Sequence, residues 1–412
     1  MNIARKAPVE KDRRWHVVVF LSVAFMLCYL DRQVAFSIFP VLKNELGFSD
    51  TQLGMVGSLF VWSYAISMPI AGRIADLVRR DRLVIASLVL WSIGILGTAL
   101  SKSPISFLVW RVVMGLTESL YFPAALGILA VLHSGSTRSR ALSIHQSAQL
   151  VGIIAGGWYG GWAAEHIGWR VGFVVLCIAG ISYSFVLAKI FHRTAVAGSP
   201  VRRRPNGDAR SLFRVPLYLL LTFSFFWFCG MLWIVYAWLP DLLYRRFHLS
   251  LSSSGLDATL CIQVCCGVGV LAGGWLADRL ILRIAAARFY IVGCGMFLSA
   301  PFAYLAFAAI TLTEFRLFAA AFGLLAGFAI GNIFAAAYDV ISDLNYSFAA
   351  GVLNMTGGLS GGGAMLLVGI YKNEFGITNL MAFAAAATAF AGILLSASAR
   401  WKYPRASGFV SN

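Results

Sequence analysis

Apolar stretches of about 20 residues, with polar residues gathered between them, set the pattern of this chain. Such windows recur roughly at residues 15 to 40, 53 to 77, 83 to 101, 104 to 132, 141 to 163 and 170 to 191. A second set follows roughly at 215 to 243, 255 to 277, 289 to 310, 317 to 339, 348 to 371 and 377 to 399, each about the length a helix needs to cross a bilayer. The longest polar interruption, His192 to Arg214 with Arg202, Arg203, Arg204 and Pro205, falls between the sixth and seventh windows. It reads as a solvated linker between halves. The pattern predicts an all-α membrane protein with twelve transmembrane helices in two pseudo-symmetric six-helix bundles. The segments are then an N-terminal tail (1–14), a first bundle (15–191), the linker (192–214), a second bundle (215–400) and a C-terminal tail (401–412).

Composition agrees: 59% of the 412 residues are hydrophobic and 12% charged, against about 25% charged in a soluble chain. A soluble core has no room for that much apolar surface. The net charge of +16 raises the question of nucleic acid, and the placement of the basic residues answers it. Of the 33 Lys and Arg, 24 fall in the N-terminus, the even-to-odd loops and the C-terminus, and 7 in the alternate loops. Cytoplasmic loops retain positive charge, so both termini and the linker are expected in the cytoplasm of a multi-pass plasma-membrane protein, in a bacterium the inner membrane. The charge serves topology and contact with anionic lipid, and no nucleic-acid partner is expected. The first apolar block is too long for a signal-peptide core and has no small-residue cleavage site after it. Cys28, Cys177, Cys229, Cys261, Cys265, Cys266 and Cys294 all lie in apolar stretches without CxxC or Cys/His spacing. They read as small buried side chains, with no metal site expected.

The two halves echo each other. GRIAD at Gly72 to Asp76 returns as GWLAD at Gly274 to Asp278, and the same offset aligns Gly156, Gly160 and Gly161 with Gly358, Gly362 and Gly363. Parallel six-span repeats are a transporter feature, with the site between the halves near the bilayer midplane.

With these features the chain resembles the major facilitator superfamily from about Trp15 to Arg400. The superfamily's run after the second helix appears as Gly72, Asp76, Arg79, Arg80 and Arg82, with Arg79 where glycine is usual. The resemblance implies a cytoplasmic gate formed by Asp76 with Arg80 and, in the second half, Asp278 with Arg279; a solvated loop with a capping Asp is the plainer reading. Tyr29, Asp31, Arg32, Tyr64, Arg111, Glu118, Gln149, the Trp238-Leu239-Pro240 run and Asn354 in GVLNMTGG are similar to the anion:cation symporter branch, the proton-linked and sialin-like organic anion transporters. That likeness implies substrate contacts from Arg32, Arg111, Tyr64, Gln149, Tyr29 and Asn354. Antiporters of the superfamily usually carry Gly-Pro in the fifth helix; GIIAGGWYGG has no proline, which argues for symport.

Four charges fall inside apolar windows: Asp31, Arg32, Arg111 and Glu118. Each would cost about 2.5 to 3.5 kcal/mol unpaired at a span centre, so they must face one another or a cavity. Arg111 and Glu118 stand two helical turns apart, about 10.5 Å along the axis, too far for a direct pair and suited to a stripe lining a cavity. Asp31 and Arg32 diverge by about 100°, so each needs its own partner. One reading makes the four a structural brace, yet buried pairs are often replaced by apolar residues without loss of stability. The other uses arginine's planar fork to bind a carboxylate, while Asp31 and Glu118 take up coupling protons. Burial favours the neutral acid and nearby arginines the carboxylate, so an arriving anion would promote protonation.

Other polar positions are more equivocal. His145, one turn from Gln149, is either a packing hydrogen-bond donor or a proton site. Trp227, Trp233, Tyr236 and Trp238 either stack on a substrate or form a belt or core; Asn332 and Asn354 lie in otherwise apolar helices. The leading expectation is a monomeric, proton-coupled importer of a small organic monoanion or dianion, such as a sugar acid or aromatic acid, with no cofactor beyond the coupling proton. An exporter or lipid or drug carrier of the spinster or efflux type is the runner-up. An enzyme or receptor is disfavoured, since no nucleophile and base set, phosphate loop or sizeable soluble domain is visible.

Overall fold

The computed structural model describes residues 11–133, 137–194, 212–342 and 345–407. Arg202, Arg203, Arg204 and Pro205 of the expected linker lie outside them. Among the described residues the regular elements are helices: α1 Lys11–Ser37, α2 Phe39–Leu46, α3 Asp50–Leu77, α4 Arg80–Ala99, α5 Pro104–Glu118, α6 Tyr121–Leu132, α7 Arg138–His166 and α8 Trp169–Thr194. Then come α9 Pro216–Phe247, α10 Leu251–Leu280, α11 Ala287–Ala308, α12 Leu312–Tyr338, α13 Tyr346–Phe375 and α14 Ile377–Ser407.

Among the described residues eleven runs are long and apolar enough to cross a membrane, α5 and α6 counting as one, where the pattern predicted twelve. The difference is α7. Its 29 residues would extend about 44 Å, but Arg138, Arg140, His145, Gln146 and Gln149 crowd its first half. Phe185, Phe383 and Phe390, 71%, 65% and 62% exposed, belong to an outer surface that only lipid would cover.

Two windows expected as single helices are broken, and proline explains both. Pro123 has no N–H for the Ser119 carbonyl, so α5 stops at Glu118 and α6 restarts at Tyr121. Pro40 does the same to the Phe36 carbonyl between α1 and α2. The first break matters for chemistry, because it leaves Glu118 at a helix C-terminus, where the macrodipole repels negative charge.

Within the first eight helices α1 packs on α7, α3 on α5 and α4 on α8; within the last six, α12 packs on α10 and α11, and α9 on α13 and α14. Two main seams join the groups, α3 with α13 and α7 with α10. On the first, Ser58 Oγ donates to the Gly362 carbonyl at 2.6 Å and Trp62 Nε1 to that of Leu359 at 3.1 Å. On the second, Gly157 and Gly255 meet backbone to backbone, and a Cβ on either would collide with the other's carbonyl oxygen.

The seam contacts crowd one end. Lys372 reaches Asp50 at 2.9 Å, and Glu165 accepts from the Leu251 N–H at 2.5 Å and the Ser252 hydroxyl at 2.7 Å. Past Trp62 and Leu150 the same four helices expose Ile66, Ile70, Ser147, Leu271 and Asn354. The bundle is thus closed where α3 and α10 begin, where Ser49 and Ser250 cap the helices, and open where they end.

Candidate functional site

The four intramembrane charges come together as two ion pairs in the first group of helices. Arg32 on α1 donates from Nε (3.0 Å) and Nη2 (2.5 Å) to Glu118 Oε1 on α5. Arg111 on α5 stands with Nη1 3.6 Å from Asp31 Oδ2, and its Nε donates to the Val56 carbonyl of α3 at 3.3 Å. Asp31 and Arg32 thus take different partners, as their divergence required. Arg32 also offsets the negative charge stranded at the end of α5. Gly115 lets α5 approach α3 this closely, since a Cβ there would strike Ser63 Oγ and the Phe60 carbonyl.

The two pairs differ in access. Asp31 and Arg111 are 0% exposed, whereas Arg32 retains 6% and its guanidinium lies over the half-buried rings of Tyr29 at 4.5 Å and Tyr64 at 4.7 Å. A cavity-lining stripe of Arg111 and Glu118 was expected; the structure turns Arg111 inward, behind Phe60, whose ring it faces at 4.7 Å. The pairs are not fully satisfied. Both Asp31 oxygens, Glu118 Oε2 and Arg111 Nη2 have no partner within hydrogen-bond length, an uncommon state for buried polar atoms.

The remaining expected residues are spread around this centre. Gln149 is half-buried on α7, one turn from Gly152, which packs on Tyr29. His145 is 0% exposed and lies off the cavity, stacked on Phe25 at 4.5 Å, with Nε2 3.1 Å from the Tyr121 hydroxyl. That hydroxyl gives its proton to the Leu21 carbonyl at 2.5 Å, so Nε2 of His145 must donate. The packing role, one of the two readings of this histidine, is what that geometry supports. Asn332 and Asn354 each donate to a carbonyl of their own helix, Phe328 and Ala350, both at 3.0 Å. The four aromatics do not form one cluster: Trp238 is buried and donates to the Met365 carbonyl at 3.2 Å near the closed end, Trp227 packs on Phe383, and Trp233 meets Tyr236 edge-on at 6.1 Å.

Several site residues escaped the sequence reading. Gln33 donates to the Tyr236 carbonyl at 3.1 Å and ties α1 to α9. Gln263 on α10 is 1% exposed with neither amide atom partnered; as a lone polar residue in an apolar window it carried the signal that drew attention to Asn332. Phe60 gave no signal, because nothing in sequence separates it from lipid-facing phenylalanines.

At the open end Asp76 pairs with Arg80 at 3.1 Å, and Arg80 also donates to the Ala75 and Gly127 carbonyls, both at 3.3 Å. The expected partner of Asp278 is corrected. Arg279 lies over Trp275 at 4.1 Å, and Asp278 instead faces Arg288 at 3.6 Å, which holds Asp339 at 2.5 Å. Burial pushes the Asp339 carboxyl up from its ordinary value, and the Arg288 guanidinium draws it back. The closed end has its own ionic seal, unforeseen from sequence: the Asp50 carboxylate takes Lys43 at 2.8 Å, Lys372 at 2.9 Å and Asn373 at 2.9 Å. The cysteines are free, and Cys294 is exposed rather than buried.

A family model described as Major Facilitator Superfamily matches residues 21–365. The chain is 28% identical over 292 residues to a probable anion transporter 1, chloroplastic, of Oryza sativa subsp. japonica, across 66% of this chain and 54% of that protein. It therefore spans about half the length of that relative. It is 22% identical to a D-galactonate transporter of Escherichia coli O6:H1 across 94% of this chain and 95% of that protein. Among solved structures, a bacterial homologue of the human lysosomal transporter Spinster, in an inward-facing and unoccupied conformation, superposes with a TM-score of 0.77 at 19% identity, covering 97% of this chain and 98% of that one. That likeness concerns the fold.

Proposed function

The chain belongs to the Major Facilitator Superfamily, a transporter and not an enzyme, and from that premise we propose that it moves a small organic anion together with protons by alternating access. The observation that carries this reading is the Arg32–Glu118 pair: a permanently charged fork that keeps slight exposure, flanked by Tyr29 and Tyr64 and held by a buried carboxylate. The names of the relatives, an anion transporter and a D-galactonate transporter, support the substrate class.

In this scheme the substrate carboxylate takes Arg32, with Gln149 and Asn354 contributing polar contacts from the two sides. It competes with Glu118 for the guanidinium, and Glu118 answers by binding a proton; Asp31, paired with Arg111, is the second proton candidate. The halves 15–191 and 215–400 rock about the seams. Asp76 with Arg80, and Asp278 with Arg288, latch the open end when it closes. By the placement of Lys and Arg the open end faces the cytoplasm of a bacterial inner membrane, and the protein works as a monomer. A spinster-like or efflux role rests on fold likeness alone, which carries no substrate, and a carrier of apolar ligands has no use for a guanidinium at its cavity wall.

The test is counterflow of a panel of carboxylates in proteoliposomes, followed by net uptake of the acids that exchange into vesicles carrying a pH-sensitive dye. Counterflow of at least one acid, and net uptake that acidifies the vesicle interior, are expected in the wild type, and both should be abolished in Arg32→Lys, which keeps the charge but not the fork. Exchange of neutral or cationic compounds alone, or an Arg32→Lys variant as active as the wild type, would overturn the reading.

A further inference from the structure

Two arginines share one aromatic ring. Phe60, 1% exposed on α3, has the Arg32 guanidinium 4.8 Å and the Arg111 guanidinium 4.7 Å from its ring centroid. Arg111 and Asp31 are sealed at 0% exposure, and only Arg32 keeps access. Every other described Lys and Arg lies near a helix end or in a connection, so the middle of the bundle offers the cavity a single cation. Glu118 already engages Nε and Nη2 of that cation, which leaves the Nη1 side for an arriving group.

The charges can therefore be counted. With Asp31 ionised, its pair with Arg111 sums to zero, and neither residue is exposed. Arg32 with one carboxylate, and Glu118 carrying one proton, also sums to zero. A second anionic group on the substrate would enter a low-dielectric cavity with nothing opposite it, a penalty equal to about 100-fold in affinity on membrane-insertion scales. We infer that the cavity is built for a substrate with one anionic group, a monocarboxylate, and that Phe60 sets this limit by keeping Arg111 out of the cavity. The inference rests on the anion-transport reading and narrows its substrate class. Phe60 is a specificity-determining residue here, acting through the two arginines it separates from a common solvent space.

The experiment uses the full chain in detergent micelles at about pH 7.5, where both carboxyl groups of the diacids are ionised. Binding constants come from ligand-induced rises in unfolding temperature for three matched pairs of probes: gluconate with glucarate, benzoate with phthalate, and lactate with malate. At least one monocarboxylate should bind about 100-fold more tightly than its dicarboxylate partner. In Phe60→Leu, where water and the Arg111 guanidinium gain the space of the ring, that ratio should fall tenfold or more. Phe60→Met, nearer in volume, serves the same comparison if Phe60→Leu does not fold. A dicarboxylate bound as tightly as its partner by the wild type would overturn the inference and leave anion transport standing. An unchanged ratio in the folded Phe60 variants would remove the role given to Phe60. Failure of all six probes to bind would count against the anion reading itself, and this inference would fall with it.

Discussion

Replacing Glu118 by Gln keeps the shape of the side chain and removes one charge from a pair whose atoms approach to 2.5 Å. Two unit charges about 4 Å apart interact by about 4 kcal/mol at an effective dielectric constant near 20. An anion arriving at Arg32 while Glu118 is ionised must share that attraction and meet a like charge at a similar distance. A proton on Glu118 relieves both, so binding one carboxylate draws in one proton. Linkage then makes affinity rise tenfold for each unit by which pH falls, about 1.4 kcal/mol per unit, wherever Glu118 of the empty site is ionised. Gln imitates the protonated acid, so in Glu118→Gln affinity should be flat across roughly pH 5 to 8 and equal to the low-pH limit of the wild type. Its amide oxygen can still accept from Arg32, so folding should suffer less than the about 3 to 5 kcal/mol of a truncated buried pair. In vesicles, counterflow needs no net proton movement and should survive at least partly, whereas uptake driven by an imposed pH gradient should collapse. The reasoning fails if Glu118→Gln retains the tenfold slope, or if its gradient-driven uptake equals that of the wild type. Equal loss of both transport modes would make the pair a brace.

Three further outcomes follow from the geometry. Asp50→Asn removes the carboxylate shared by Lys43, Lys372 and Asn373 and should shift the closed end towards opening by about 1.5 to 3 kcal/mol, the worth of a charged hydrogen bond; spin-label distances between the starts of α3 and α10 and the end of α13 would show it, and an unaltered distribution would reduce the cluster to surface charge. Gly157→Leu drives a side chain into the Gly255 backbone and should hold the closed end ajar, seen as faster alkylation of a cysteine placed at Ser58; wild-type labelling with intact transport would contradict the seam. Arg111→Met strands the Asp31 carboxylate and should lower stability by about 3 to 5 kcal/mol, most of it regained in Asp31→Leu/Arg111→Met. Thermal unfolding of the purified variants decides that case, and a single variant as stable as the wild type would show that the pair carries no structural load.

Much of the architecture is written along the chain, because a bilayer imposes a local rule: about 20 consecutive apolar residues, with charge at their ends. That rule marked twelve windows without reference to any neighbour, and among the described residues eleven of them hold runs long and apolar enough to cross. It was weakest at α7, whose polar first half packs against α1 and α10 and so need not be as apolar as a lipid-facing helix. Pro123 and Pro40 interrupt their windows, whereas Pro69, Pro240 and Pro301 stand inside unbroken helices, so the presence of a proline in an apolar window did not by itself decide which helices break.

The functional centre divides along the same line. The cost of a charge in hydrocarbon is a property of the residue and its window, so Asp31, Arg32, Arg111 and Glu118 could be singled out, and the 100° turn between adjacent residues already required Asp31 and Arg32 to find separate partners. Which partner each found, and which pair kept access to the cavity, depends on where α3 and α5 meet α1. That meeting is set by Gly115 and Phe60, residues whose meaning is only their position in three dimensions. The same holds for the seal around Asp50 and the pairing of Asp278 with Arg288. Spans and their charges are local quantities and can be read one window at a time, whereas ion pairing, burial and access are relations between helices distant in the chain, so tertiary packing alone could decide them.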